Sequence, residues 1–173
     1  MNLKESIRII PDFPKPGIQF IDITTMLKDG KAMKYAFDQL AAMVGHLEID
    51  LLVGPEARGF LVGAPLAYKL GAGFIPVRKS GKLPGEVIEA SYQLEYGQDT
   101  LQIHKDAITP GAKVLVVDDL LATGGTVWST ADLVRSLGGE IVGFAFLIEL
   151  TFLKGRDKLG SYPVFSLLEY DSE

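Results

Sequence analysis

Two adjacent acids and a run of small residues follow an apolar stretch of the chain. Residues 114–117 are apolar, Asp118 and Asp119 come next, and the small residues are Ala122, Thr123, Gly124, Gly125 and Thr126. Such a run is typical of a buried parallel strand, which would bring both acids to the carboxyl edge of a sheet. Small residues allow close approach of a ligand, and a helix beginning at Thr126 would direct unpaired N–H groups and its positive dipole end towards it. The pattern predicts a phosphate cradle beside two carboxylates that could accept hydrogen bonds from sugar hydroxyls.

Other nucleotide-binding loops fit this segment poorly. A Walker A loop requires a lysine after its last glycine, where this chain has Thr126. A dinucleotide fingerprint places its acid about 20 residues after the glycines, whereas here the acids precede them. An ordinary strand, turn and helix with no ligand remains the alternative interpretation of these residues.

Basic residues in two other segments could bind an anion. Arg58 lies between Gly54 and Gly59, and its planar set of donors suits a pyrophosphate group. Residues 78–85 carry Arg78, Lys79 and Lys82 and no acid. A surface arginine paired with Glu56 and a solvated basic loop are the respective alternatives.

The composition is that of an ordinary globular protein. The 173 residues are 47% apolar and 23% charged, enough for one domain with a substantial core. There is no cysteine, which excludes disulfides and thiolate chemistry, and the net charge of −5 argues against nucleic acid as a partner. The N-terminal residues lack the apolar region of a signal peptide, and the apolar run 141–148 is too short to span a bilayer. We therefore expect a cytoplasmic protein with no membrane partner.

Strands alternate with helices along the chain, which predicts an α/β fold with a mainly parallel central sheet flanked by helices. The strands are expected at residues 49–53, 74–77, 114–117, 141–150 and 163–168. The helices are expected at residues 31–44, 60–70 and 127–137. Residues 9–19 contain three prolines and a glycine and should be irregular. Residues 78–97 are expected to be a functional loop, parts of which could pair as an antiparallel flap.

Residues 114–126 resemble the 5-phosphoribosyl 1-pyrophosphate (PRPP) binding motif of the type I phosphoribosyltransferases. The match consists of two acids, two further residues, a small residue and Thr-Gly-Gly-Thr after an apolar strand. The resemblance implies that Asp118 and Asp119 hold the ribose 2′- and 3′-hydroxyls. It also implies that residues 122–126 hold the 5′-phosphate.

Four further segments are similar to the members of this family that use adenine. They are residues 11–20, 54–60, 77–85 and 91–97. The resemblance covers nearly the whole chain and implies transfer of the phosphoribosyl group from PRPP to adenine, which gives AMP and pyrophosphate in purine salvage. It implies one domain over residues 1–173, with an N-terminal hood at about 1–25 and a flexible catalytic loop at 78–97. It also implies a homodimer and Mg²⁺ bound mainly through PRPP or pyrophosphate, with no dedicated metal site.

The resemblance also assigns roles to residues around the reacting atoms. Arg58, Lys79, Lys82 and Arg78 would contact pyrophosphate, and a non-proline cis peptide bond is implied near Glu56–Ala57. Glu95 would handle the proton at adenine N7, since a carboxyl enclosed by a lid has a raised pKa that suits acid–base work. Tyr96 would close over the site, and Glu95, Tyr96 and Arg58 form the candidate catalytic set.

The adenine site is implied to lie between the hood and the acid pair. Phe20 and Leu120 would stack on the base, and backbone groups around Ile21 would read its exocyclic amine. Ile21 stands where the family usually has arginine, so a contact made through that side chain would be lost.

Two other functions remain open at this point. A 6-oxopurine enzyme would recognise its base with a lysine at the sheet edge. No obvious equivalent follows the 141–150 strand in the right place, and Lys154 is the residue to check. A PRPP-sensing transcriptional regulator would need a nucleic-acid-binding surface, which the acidic composition disfavours.

Overall fold

The computed structural model describes residues 1–94 and 97–172 of the chain. The strands are β1 (Arg8–Ile10), β2 (Phe20–Asp22), β3 (Leu51–Pro55), β4 (Gly73–Lys79), β5 (Val87–Leu94), β6 (Gly97–His104), β7 (Lys113–Leu121), β8 (Glu140–Leu150) and β9 (Val164–Tyr170). The α-helices are α1 (Thr24–Lys28), α2 (Gly30–Val44), α3 (Arg58–Leu70), α4 (Gly125–Ser136) and α5 (Gly155–Lys158), with 3₁₀ turns at Leu3–Ser6 and Thr151–Leu153.

The central sheet is mainly parallel, as the alternation of strands and helices predicts. Its strands lie in the order β5-β6-β4-β3-β7-β8-β9. Five neighbouring strands pair in parallel, in the order β4, β3, β7, β8 and β9. At the other end of the sheet, β6 pairs antiparallel with both β4 and β5. The strands β3 and β7 are neighbours, so the loops that follow them meet at one edge of the sheet.

Helices cover both faces of this sheet, and β7 contributes side chains to each face. Leu115 and Val117 pack with residues of α2 and α3, while Val114 and Val116 pack with α4. All four are fully buried, which explains why the strand is a continuous apolar run. β7 continues through Leu121, beyond the expected end at residue 117, so Asp118 and Asp119 belong to the strand itself.

The N-terminal hood is a small antiparallel pair of strands. β1 and β2 pair Arg8 with Asp22 and Ile10 with Phe20. Arg8 also donates from its side chain to the Asp22 carboxylate, which accepts the Thr24 N–H at 2.9 Å. Phe13 packs edge-on against Phe20, with ring centres 5.1 Å apart. The pairing and the ring contact hold Phe20 at the end of the hood.

Part of the segment expected as a loop, residues 78–97, is a strand. β5 lies within it and forms the predicted antiparallel flap with β6, from Val87 opposite His104 to Leu94 opposite Gly97. Apart from the end of β7, the boundaries of the expected strands and helices differ from the observed ones by at most two residues. Within residues 1–94 and 97–172, no helix is long and apolar enough to cross a membrane.

Candidate functional site

The loop after β7 presents a bare helix N-terminus. α4 begins at Gly125, one residue earlier than expected, and no side chain of the described residues caps it. Its first N–H groups have no carbonyl partner within the helix, because that shortage is inherent to a helix start. Gly124 has φ +86°, and a Cβ there would lie 2.9 Å from the carbonyl oxygen of Gly155. The loop therefore combines free donors with backbone packing that only glycine allows, as a phosphate cradle requires.

The two acids of β7 lie next to this helix start. Asp119 is 3% exposed, and Asp118 is half-buried. Burial, together with the charge of Asp119, raises the pKa of Asp118 well above its usual range. Burial also raises the pKa of Asp119, although the neighbouring Arg58 guanidinium opposes that shift. Two confined carboxylates repel each other, so a ligand that donates hydrogen bonds to them would relieve an existing cost.

Arg58 connects the acid pair to the hood. Its Nε lies 3.1 Å from Oδ2 of Asp119, and its guanidinium carbon lies 5.2 Å from the ring centre of Phe20. Arg58 is the first residue of α3, directly after the turn that leaves β3. The alternative that Arg58 is a surface residue paired with Glu56 is wrong, because its partner is Asp119.

Glu56 instead forms hydrogen bonds and ion pairs with residues 78–82 of the neighbouring segment. It accepts hydrogen bonds from the Lys79 N–H at 2.7 Å and from Lys82 Nζ at 2.6 Å, and Arg78 Nε lies 3.4 Å from its Oε1. Burial acts to raise the pKa of Glu56, but the bonds from Lys82 and Lys79 prevail and lower it. The peptide bond between Glu56 and Ala57 is cis, as the resemblance implies. Lys79 Nζ pairs with Asp99 at 3.2 Å, so the basic segment is held by acids.

Two adjoining cavities bring these groups together. A cavity of about 200 Å³ is formed by the acid pair, Arg58 and residues 122–126, which we call the phosphate loop. A second cavity of about 170 Å³ lies on the flap side and includes Glu56 and Lys79. Both are lined by Arg58, Asp118, Asp119 and Thr126. The structure thus gathers the predicted phosphate, ribose and pyrophosphate residues, except that Lys82 and Arg78 line neither cavity.

The three residues expected at the base occupy different walls. Leu120 lines the phosphate-loop cavity, and Phe20 packs on Arg58. Ile21, 9% exposed, lines a separate apolar cavity of about 490 Å³ that also reaches Thr123. Lys154, the candidate for a 6-oxopurine, is exposed and lines none of these three cavities.

Two of the three expected catalytic residues, Glu95 and Tyr96, lie outside the described residues. Two other residues at the site were not expected. Tyr92, which sequence reasoning did not single out, lines the flap-side cavity and donates to Asp99 Oδ2 at 3.3 Å. Gly59 was also missed: a Cβ there would lie 3.1 Å from Asp118 Oδ1. Its position directly after Arg58, as the second residue of α3, was the available signal.

No group of three or more metal-ligating side chains is assembled within residues 1–94 and 97–172. Asp118 and Asp119 are the carboxylates beside the position where a phosphorylated ligand would lie. A magnesium ion that takes most of its ligands from phosphate oxygens fits such a site.

Comparisons with known proteins identify the family of the chain. A phosphoribosyl transferase domain model matches residues 24–167. The adenine phosphoribosyltransferase of Alkaliphilus oremlandii is 62% identical over 171 residues, which is 99% of each chain. That of Brevibacillus brevis is 58% identical over 98% of this chain and 100% of its own.

Solved structures extend the similarity to the fold. The adenine phosphoribosyltransferase of Thermoanaerobacter pseudethanolicus superimposes with a TM-score of 0.95 at 57% identity, covering 97% of this chain and 98% of its own. The Saccharomyces cerevisiae enzyme, complexed with adenine and an imino-altritol bisphosphate, gives 0.88 at 44% identity over 96% of both chains. The chain therefore belongs to the type I phosphoribosyltransferase family and, within it, to the adenine phosphoribosyltransferases.

Proposed function

We propose that the chain transfers the 5-phosphoribosyl group of PRPP to adenine, producing AMP and pyrophosphate, at the two adjoining cavities between β7, α3 and the flap. The observation that carries this proposal is the acid pair beside an uncapped helix start. Asp118 and Asp119 supply acceptors for ribose hydroxyls, and the N–H groups of residues 122–126 supply donors for the 5′-phosphate. The bisphosphate bound by the yeast relative is a ligand of the same general chemistry.

The reaction requires positive charge where pyrophosphate leaves. C1 of the ribose develops cationic character as the bond to pyrophosphate breaks and the bond to adenine nitrogen forms. Arg58 and Lys79 line the cavity that would receive the leaving group. Lys82 and Arg78, held by Glu56, would supply further charge once pyrophosphate competes for them. Fixed donors at this position stabilise charge that grows during the reaction.

Adenine would lie between Phe20 and Leu120, with backbone groups near Ile21 reading its amine. Glu95 would act as the acid or base for the proton at adenine N7, and Tyr96 would cover the reacting atoms. Mg²⁺ would be held mainly by the pyrophosphate oxygens of PRPP with Asp118 and Asp119 close by, and it would neutralise phosphate charge there.

We further propose that residues 1–173 act as one domain, with residues 1–25 as the hood and residues 78–97 as the catalytic loop, in a homodimer in the cytoplasm. The dimer proposal is supported by Leu61 and Tyr68 on α3, which are 46% and 91% exposed. Large exposed apolar side chains on one helix are typical of a protein interface. Light scattering should give twice the mass of one chain, and a monomer at working concentration would contradict the proposal.

Pyrophosphate release tests the function directly. The enzyme should be supplied with PRPP and Mg²⁺ and, separately, with adenine, hypoxanthine, guanine or xanthine. We expect turnover with adenine and with none of the other three bases. Turnover with adenine should be lost when EDTA removes the metal. Turnover with a 6-oxopurine would overturn the base assignment and direct attention to Lys154. PRPP binding without turnover on any base would favour the regulator.

A further inference from the structure

The phosphate loop lacks the cation that phosphate loops often carry. A Walker A loop supplies a lysine at its end, but residues 122–126 contain no basic side chain. In addition, Asp118 and Asp119 line the same cavity and place negative charge near the incoming phosphate. Arg58 also lines this cavity, but it is paired with Asp119. Apart from Arg58, only helix N–H groups of the loop would offset the phosphate charge and the repulsion from the two carboxylates.

A lysine from a distant part of the chain lies against this loop. A Cβ built on Gly125 would be 4.0 Å from Nζ of Lys158, and one built on Gly124 would be 3.5 Å from Cβ of Lys158. Lys158 ends α5, is exposed, and forms no ion pair with any residue in 1–94 or 97–172. Its ammonium is thus beside the first residue of α4. Lys158 does not line the cavity of the loop itself, so it would approach a bound 5′-phosphate from the rim.

We propose that Lys158 is a further ligand of the 5′-phosphate of PRPP and AMP. The inference rests on the proposed function and adds a specific contact to it. The lysine of a Walker A motif is next to its loop in sequence. Lys158 is distant in sequence, but folding brings it to the loop, where it supplies the same positive charge. Contact of an ammonium with phosphate oxygens is a charge-assisted bond, which is stronger than a bond between neutral groups.

The contacts of α5 explain how Lys158 is held there. Gly155 packs so closely on the loop that a Cβ would overlap the carbonyl oxygen of Ala122. Arg156 forms hydrogen bonds of 2.7 and 3.0 Å from Nε, and 2.7 Å from Nη2, to Glu149, which is 2% exposed. Glu149 also accepts from Ser166 at 2.6 Å. The ion pair of Arg156 with the buried Glu149 lies on one side of Lys158, and the fully buried Leu159 lies on the other. Together they fix the short helix against the loop.

Binding of AMP and of adenosine by calorimetry separates this contact from the rest of the site. For Lys158→Gln, we expect the dissociation constant of AMP to rise on the order of 10-fold, the effect of one charge-assisted bond. Adenosine affinity should stay within about twofold, because adenosine has no phosphate. Lys158→Arg should retain most of the AMP affinity. Lys31→Gln removes an exposed lysine of α2 and should behave like the unaltered chain.

The outcomes distinguish the two levels of the proposal. Equal AMP affinity in Lys158→Gln and the unaltered chain would overturn the role of Lys158 and leave the proposed function intact. An unaltered chain that binds no AMP would overturn both.

A second measurement needs no variant. AMP should protect Lys158, but not Lys154, from acetylation by acetic anhydride, as read by mass spectrometry. Equal modification of Lys158 with and without saturating AMP would also overturn the inference.

Discussion

Arg58 forms an ion pair with Asp119, with 3.1 Å between Nε and Oδ2, while the same guanidinium lies over the ring of Phe20. One side chain therefore contacts a carboxylate proposed for the ribose and an aromatic ring proposed for the base. It also lines the cavity proposed for pyrophosphate. Arginine can serve all three because its planar group stacks through its face and donates from its edge.

Replacement of Arg58 by lysine tests whether these contacts act together. The ammonium keeps the charge but loses the planar group, so the pair with Asp119 and the stacking on Phe20 cannot both be maintained. We expect kcat/KM for both PRPP and adenine to fall on the order of 10²-fold, the scale for loss of a positioned charged donor. Steady-state kinetics with each substrate varied in turn would measure this.

Lys69→Gln is the matched control for that experiment. Lys69 lies on the same helix and pairs with Asp38 at 2.7 Å, far from the cavities. Its removal should leave both substrate constants within about twofold. An Arg58→Lys enzyme with normal kinetics would show that charge alone is sufficient and that the stacking has no role.

Asp118 is expected to reduce the stability of the free enzyme. Because its pKa is raised, the folded chain keeps this proton at pH values where the unfolded chain has already released it. Stability is therefore unaffected below the ordinary carboxyl pKa of about 3.9 and falls as pH rises from there towards the raised pKa. Asp118→Asn should raise the melting temperature at pH 7 and abolish measurable PRPP binding.

The control for this prediction is Asp106→Asn, which removes an exposed acid that forms no ion pair within the described ranges. Its melting temperature and PRPP affinity should be unchanged. A lower melting temperature for Asp118→Asn than for the unaltered chain would contradict the expected cost of the buried acid. The two results together would separate loss of function from loss of folding.

The local structure of the segment proposed for phosphate and ribose was predictable because its parts are adjacent in sequence. Residues 114–126 contain the strand, both acids, the loop and the helix start, so local pattern was sufficient. The end of β7 was placed too early because the acids were taken to mark the end of the strand. Polar residues at a buried strand end are tolerated here because Arg58 and the cavity face them.

Contacts between distant segments were not predictable in the same way. Lys158 reaches Gly125, and Arg58 selects Asp119 rather than the nearby Glu56, only through the packing of the sheet. β6 was missed because its residues are mixed in polarity. Gln102, for example, is 8% exposed and donates to Glu89 at 3.0 Å across the flap. Side-chain pairing of this kind has no signature in hydrophobic periodicity.

Asp22 in the hood should make stability depend on pH in the opposite sense to Asp118. Hydrogen bonds from Thr24 and Arg8 lower the pKa of Asp22 from 3.8 to about 2. This stabilisation is complete above the unfolded pKa and is lost as pH falls from there towards about 2. Asp22→Asn should reduce the free energy of unfolding at pH 7 by at most about 2 kcal/mol.

Urea unfolding at pH 7 and at pH 3 would measure the Asp22 effect. The difference between Asp22→Asn and the unaltered chain should shrink at the lower pH, whereas Asp106→Asn should show no difference at either pH. Because Asp22 ends the strand that carries Phe20, the adenine KM should rise as well. A pH-independent difference would show that lost packing, rather than charge, accounts for the change.

Gly155 should be required for the shape of the phosphate loop. A Cβ at this position would overlap the carbonyl oxygen of Ala122 and lie 2.9 Å from Cδ1 of Leu121, so the backbone would have to move. We expect Gly155→Ala to lower kcat/KM for PRPP on the order of 10²-fold, the cost of displacing a binding group by about 1 Å. Overpacking should also lower stability by roughly 1–3 kcal/mol.

Gly30→Ala is the matched control, since a Cβ on Gly30 meets nothing within 4 Å. Normal PRPP kinetics in Gly155→Ala would mean that the loop can shift without losing its ligand, and the close packing of α5 would then be structural only.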